Sequence, residues 1–86
     1  MTDATSEAET RIRHAIQRAL RLPEGDGGHL ELGATPGWDS TGHMAIVLEV
    51  EMEFGVQFPA FRLPELVDVP AIARAIEEER AGGSPP

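Results

Sequence analysis

Residues 37–55 read GWDSTGHMAIVLEVEMEFG, and no other segment constrains the architecture as tightly. An acid and a serine stand before a run that keeps helical period until Phe54, and Gly55 then supplies the left-handed residue that often closes a helix. The segment predicts a helix from about Asp39 to Phe54. Its apolar residues fall into two groups at about 100° per residue. His43, Val47, Val50 and Phe54 share a sector roughly 60° wide, with Ile46 at its edge, and form the stripe that faces a core. Thr41, Met44, Leu48 and Met52 form a second sector centred about 130° away. Glu49 and Glu53 occupy a third side, and Glu51 lies between the two apolar sectors. One stripe is enough to fold a bundle helix. The second stripe is either covered by the last helix or the long loop, or left open to a partner. Methionine suits an open face because its unbranched thioether repacks against several shapes.

Upstream, the segment AETRIRHAIQRALRL (8–22) places Ile12, Ile16 and Leu20 four residues apart with Ala15 and Ala19 beside them, one apolar stripe of a first helix. Pro23 and the glycines after it are expected to stop that helix. About 15 residues without helical period then lead to Trp38, with Leu30 and Leu32 able to pin this loop to the core. Downstream, VQFPAFRLPELV is rich in turn residues and leaves room for one brief helix around 60–66. Asp68 reads as the N-cap of a last helix with Pro70 in its first turn, where a missing N–H does no harm. Val69, Ile72, Ala73 and Ile76 point inward. No alternating run bounded by hairpin turns suggests a strand. The expectation is an all-α fold: a small four-helix bundle of three main helices and one short helix, with a long loop between the first two. It should occupy residues 7–80, with flexible ends at 1–6 and 81–86.

At 86 residues there is room for one core, and a chain of this size buries only about 60% of the surface it exposes when unfolded. There is no cysteine, hence no disulfide, no thiolate metal site and no thiol of its own. No apolar run reaches the roughly 18 residues a membrane span needs, and the polar, acidic start is unlike a signal peptide. A soluble cytoplasmic monomer is expected. Fifteen acids against seven basic residues leave a net charge of −8, which repels nucleic-acid phosphate and attracts basic protein patches.

Three residues in the decisive segment, Asp39, Ser40 and Gly42, invite a functional reading. Asp39 or Ser40 could cap the helix by accepting a bond from the N2 or N3 amide. Gly42, in the first turn, costs about 1 kcal/mol against alanine, so a bare backbone must serve some purpose there. A helix N-terminus presents unpaired amides and a partial positive charge, a favourable seat for phosphate. A serine at that place is an apt point of attachment for a phosphate ester.

The sequence GWDSTGHM…FGVQF resembles the phosphopantetheine attachment region of acyl carrier proteins, and the resemblance extends over roughly residues 10–80. It implies that Ser40 carries 4′-phosphopantetheine, moved from coenzyme A by a phosphopantetheinyl transferase with Mg²⁺. It also implies that the arm's thiol holds an acyl group as a thioester. Asp39 would then assist the transferase and Gly42 would belong to the attachment site. Thr41, Met44 and Leu48, with Glu49, Glu51 and Glu53, would meet the partners: the transferase and the enzymes of acyl loading, acyl transfer and condensation. The chain itself would not be an enzyme and would hold no metal. Thr41 stands where the family usually has leucine. Trp38, with Gly42-His43-Met44 after the serine, resembles free-standing carriers of polyketide or other secondary metabolism. The D-S-x-G pattern also resembles D-alanyl and other aminoacyl carriers, whereas the Leu-Gly-Gly-x-Ser pattern of modular peptide synthetase carriers is absent.

Rival chemistries find less footing. Ser40 and His43 lack the G-x-S-x-G elbow of a hydrolase and the larger scaffold a triad needs. His14, His29 and His43 have no close metal-ligand spacing. The remaining alternative is an acidic helical adaptor that binds through Met44 and Leu48 and never carries an arm.

Overall fold

The computed structural model describes residues 4–22 and 30–82. Over these the chain is all-helical: α1 (Ala4–Leu20), α2 (Ser40–Phe54), a 3₁₀ helix (Ala60–Glu65) and α3 (Val69–Gly82). α1 packs against both α2 and α3, and the 3₁₀ helix packs against α3. The core is the set of stripes predicted from spacing. Ile12, Ala15 and Ile16 of α1, Ile46, Val47, Val50 and Phe54 of α2, and Val69, Ile72, Ala73 and Ile76 of α3 are all buried. Ala75, Leu30, Trp38, Phe58 and Leu66 complete it. The second helix of the core thus presents a narrow face, as its wheel requires.

Helix boundaries follow local chemistry that the apolar period does not report. α1 begins at Ala4, ahead of its first core residue, and α3 runs to Gly82. Residues 1–3 and 83–86 of the expected flexible ends lie outside the described residues, as do the turn residues 23–29 expected to stop the first helix. α1 in fact ends at Leu20, before Pro23, because Arg21 takes the left-handed conformation at φ 57°. The Leu22 amide then donates to the Gln17 carbonyl at 2.9 Å and the Arg21 amide to Arg18 at 3.3 Å, the paired bonds of a Schellman ending. α2 ends in the expected way, with Gly55 at φ 67° and its amide on the Glu51 carbonyl.

The loop before α2 is packed by its own hydrogen bonds. The Thr35 amide donates to the Glu31 carbonyl, and buried Thr35 Oγ1 accepts from the Glu31 amide at 2.8 Å. Gly33 donates to the Trp38 carbonyl, and Trp38 to that of Thr35. Leu30 is buried and Leu32 half-buried, as read, and the Leu32 amide donates to Val67. An isolated antiparallel bridge between Glu31 and Asp68 fastens the loop to the start of α3. There Asp68 caps the helix: its Oδ1 accepts from the Ala71 amide at 2.9 Å.

Arginines from other elements close the C-terminus of α2, which has no basic residue in its last turn. Arg11 donates to the Glu53 carbonyl at 2.9 Å and Arg80 to that of Phe54 at 3.0 Å. Both guanidinium groups also lie over the Phe54 ring, at 4.4 Å and 5.6 Å from its centroid. Positive charge placed on free terminal carbonyls complements the helix dipole. Arg62 of the 3₁₀ helix reaches Glu78 at 2.7 Å and Glu79 at 2.8 Å on α3. These bonds, that to Glu78 first, raise its pKa above the ordinary value.

Candidate functional site: the first turn and open face of α2

The ambiguity between Asp39 and Ser40 resolves in favour of the acid as cap. Asp39 is extended (φ −114°, ψ −163°), and its Oδ1 accepts from the Gly42 amide at 2.9 Å. Its carbonyl accepts from the His43 amide at 2.7 Å. Ser40 is consequently the first residue inside α2, exposed, with its hydroxyl outside the capping bond. Thr41 beside it is exposed as well. The amides of this first turn that precede the Gly42 bond have no partner four residues back in the helix, so the dipole's positive end lies at the serine.

Gly42 is explained by packing. A Cβ at this position would run into the Gly37 carbonyl oxygen, and it would lie 2.9 Å from Leu20 Cδ2. The bare Cα lets the loop's backbone and the end of α1 press against the turn that bears Ser40. Gly37 itself sits at φ 87°, which turns the loop into this contact.

His43, assigned to the core stripe by its place on the wheel, is half-buried. Its ring joins Trp38 Nε1 at 2.9 Å to the Leu63 carbonyl at 2.7 Å. The neighbouring stripe is open. Met44, Leu48 and Met52 keep 46%, 56% and 73% of their surface exposed, so neither α3 nor the described part of the loop covers them. Phe61 on the 3₁₀ helix is 71% exposed, a large apolar side chain that sequence reasoning missed. It lies in a turn-rich segment with no period, and no spacing signal could have assigned it a face.

The three acids named with this face are engaged elsewhere in the fold. Glu53 pairs with Arg11 Nε at 2.9 Å and with Arg18 at 3.3 Å. Glu49 pairs with Arg18 at 3.3 Å. Together they clasp α2 to α1 on the side away from Met44. Glu51 accepts from the Phe58 amide at 2.9 Å and so holds the chain that leaves the helix. The Ser40 turn and the open stripe lie together on α2, and Glu49, Glu51 and Glu53 each hold a bond within the bundle.

The clasp responds to acid in a defined direction. The Arg11 hydrogen bond, and secondarily the charges of Arg11 and Arg18, hold the Glu53 carboxyl below its ordinary value of 4.5 against an opposing desolvation effect. Its folded pKa is lower than its unfolded one. The stability it contributes is therefore complete above the unfolded value and is lost as pH falls through the folded value. Urea midpoints measured in a pH series should drop below pH 4.5 more steeply for the wild type than for Glu53→Gln.

Among the described residues, no group of three or more His, Cys, Asp or Glu side chains is placed to hold a metal ion, and no helix is long and apolar enough to cross a membrane.

The chain matches no family model, no curated protein and no solved structure. Its functional reading rests on the geometry above and on the resemblance in its sequence.

Proposed function

We propose that this chain is an acyl carrier protein that bears 4′-phosphopantetheine on Ser40 and presents an acyl group to partner enzymes. The cytoplasm and polyketide or related secondary metabolism are the proposed setting. The observation that carries the reading is the division of labour at the start of α2. Asp39 takes the cap, so the serine hydroxyl stays exposed at the positive end of the helix. A carboxylate cap costs the serine nothing, and the first-turn amides suit the phosphodiester that would form there.

Attachment requires little of the carrier beyond presentation. Ser40 Oγ bonds to the phosphorus that bears the pantetheine arm, the serine proton passes to a base of the transferase, and the adenosine bisphosphate portion of coenzyme A departs. Asp39 fixes the turn with one carboxylate oxygen, leaving the other outside the cap bond. Once attached, the arm supplies the thiol that a chain without cysteine lacks. A tether raises the effective concentration of its cargo at each partner, so the carrier needs no catalytic group.

The face beside the serine supports the same reading. Met44, Leu48 and Met52 of α2 form an exposed apolar stripe, and the chain's net charge is −8. A partner with an apolar contact and a basic rim is the complement of such a surface.

Incubation with coenzyme A, Mg²⁺ and a broad-specificity phosphopantetheinyl transferase should add one phosphopantetheinyl group to the wild type and none to Ser40→Ala, read by intact mass. An adaptor that never carries an arm would gain no mass in either form. Leu48→Glu should keep the helical circular dichroism of the wild type, because its side chain is already in solvent, and lose turnover by the partner enzymes. Loss of the fold in Leu48→Glu would instead assign the stripe to the core.

A further inference from the structure

His43 stands one turn beyond Ser40 and makes two side-chain hydrogen bonds to different elements. Trp38 Nε1–H can only donate, so His43 Nδ1 must accept, at 2.9 Å. The Leu63 carbonyl can only accept, so His43 Nε2 must carry the hydrogen, at 2.7 Å. Chemistry alone thus selects one tautomer. The indole is 1% exposed, and without His43 its N–H would lose its partner in the core. Its ring also lies nearly parallel to the imidazole, with an interplanar angle of 23°.

The bonds bracket the attachment turn. Trp38 and His43 flank Asp39, Ser40, Thr41 and Gly42, and their rings join across that segment. Gly37 presses on Gly42 from the loop side, while Leu63 holds the same histidine from the 3₁₀ helix that bears Phe61. The Ser40 turn, the loop and the 3₁₀ helix are therefore connected through one imidazole.

We propose that His43 is the positioning residue of the Ser40 site: with its ring hydrogen on Nε2, it fixes the serine turn against both the Trp38 loop and the 3₁₀ helix. A transferase or partner then meets these elements as one surface. The effect on modification rests on the carrier function proposed above, whereas the tautomer and the order of the turn do not.

The test compares the wild type with His43→Leu, His43→Gln and Trp38→Phe in the full chain. Imidazole ¹⁵N shifts of the wild type should show Nε2 protonated and Nδ1 bare, with a slowly exchanging indole N–H. His43→Leu removes both bonds and should speed exchange of the Gly42 amide about tenfold, as expected when a turn loses one or two hydrogen bonds. With coenzyme A and a transferase, kcat/KM should fall by about tenfold, since small displacements of a reacting group are costly. Glutamine offers one acceptor and one donor and should restore most of both losses. Trp38→Phe keeps a buried aromatic ring but removes the indole donor, so it should move both readouts in the direction of His43→Leu, and it serves if the leucine variant does not fold. A wild-type ring with its hydrogen on Nδ1 overturns the proposal. So does a folded His43→Leu whose Gly42 exchange stays within about twofold of wild type. If the wild type takes up no phosphopantetheine, the carrier function fails, and the nitrogen shifts and amide exchange still decide the role of His43.

Discussion

Trp38→Ala is expected to cost about 3–5 kcal/mol, the range for truncating a large buried aromatic. The side chain is 1% exposed and lies in the core with Ile12, Ile16, Ile46 and Leu66, so its removal leaves a cavity that rigid helices cannot close. It also takes away the donor that satisfies His43 Nδ1. A domain of this size has on the order of 4–13 kcal/mol in all. Urea denaturation should therefore show a variant that has lost roughly a quarter or more of its stability. A midpoint shift worth less than about 1 kcal/mol would mean that the tryptophan is not part of the packed core.

Gly42→Ala is the second large effect, and its sign is the informative part. In an exposed helix interior, alanine for glycine gains up to about 1 kcal/mol. Here the added methyl meets the Gly37 carbonyl and Leu20 Cδ2. One neighbour is backbone, held by a residue at φ 87° in a hydrogen-bonded loop, and cannot yield as a side-chain tip can. Overpacking of this kind costs about 1–3 kcal/mol, which outweighs the propensity gain. Thermal unfolding should give a lower Tm for Gly42→Ala than for the wild type. A higher Tm would show that the loop does not touch the turn.

The contrast between these two residues marks what can be read from a chain of this kind. Apolar period placed the core stripes of all three long helices, because burial of Ile12 and Ile16, or of Val47 and Val50, follows from spacing within one helix. The openness of Met44 and Leu48 was legible as a possibility, since α2 has more apolar surface than one seam can bury. Tertiary partners were not legible. Glu49 and Glu53 look like a free acidic side of α2, yet Arg11 and Arg18 meet them from more than thirty positions away. The purpose of Gly42 depends on a loop carbonyl, and no helical rule pairs Trp38 with His43. Arg21 likewise ends α1 in a conformation that glycine or asparagine would have announced and arginine does not. At the cap, Asp and Ser have nearly equal propensity, so only the folded geometry separates them.

That separation bears on function, because a serine used as a cap and a serine offered to a modifying enzyme are different things. Peptide-level mass spectrometry of the chain purified from the cells that produce it distinguishes them. Phosphopantetheine on the peptide that contains Ser40 is the expected result. An unmodified Ser40 throughout a population shown to engage its partner enzymes, or the arm on another residue, would contradict the carrier function.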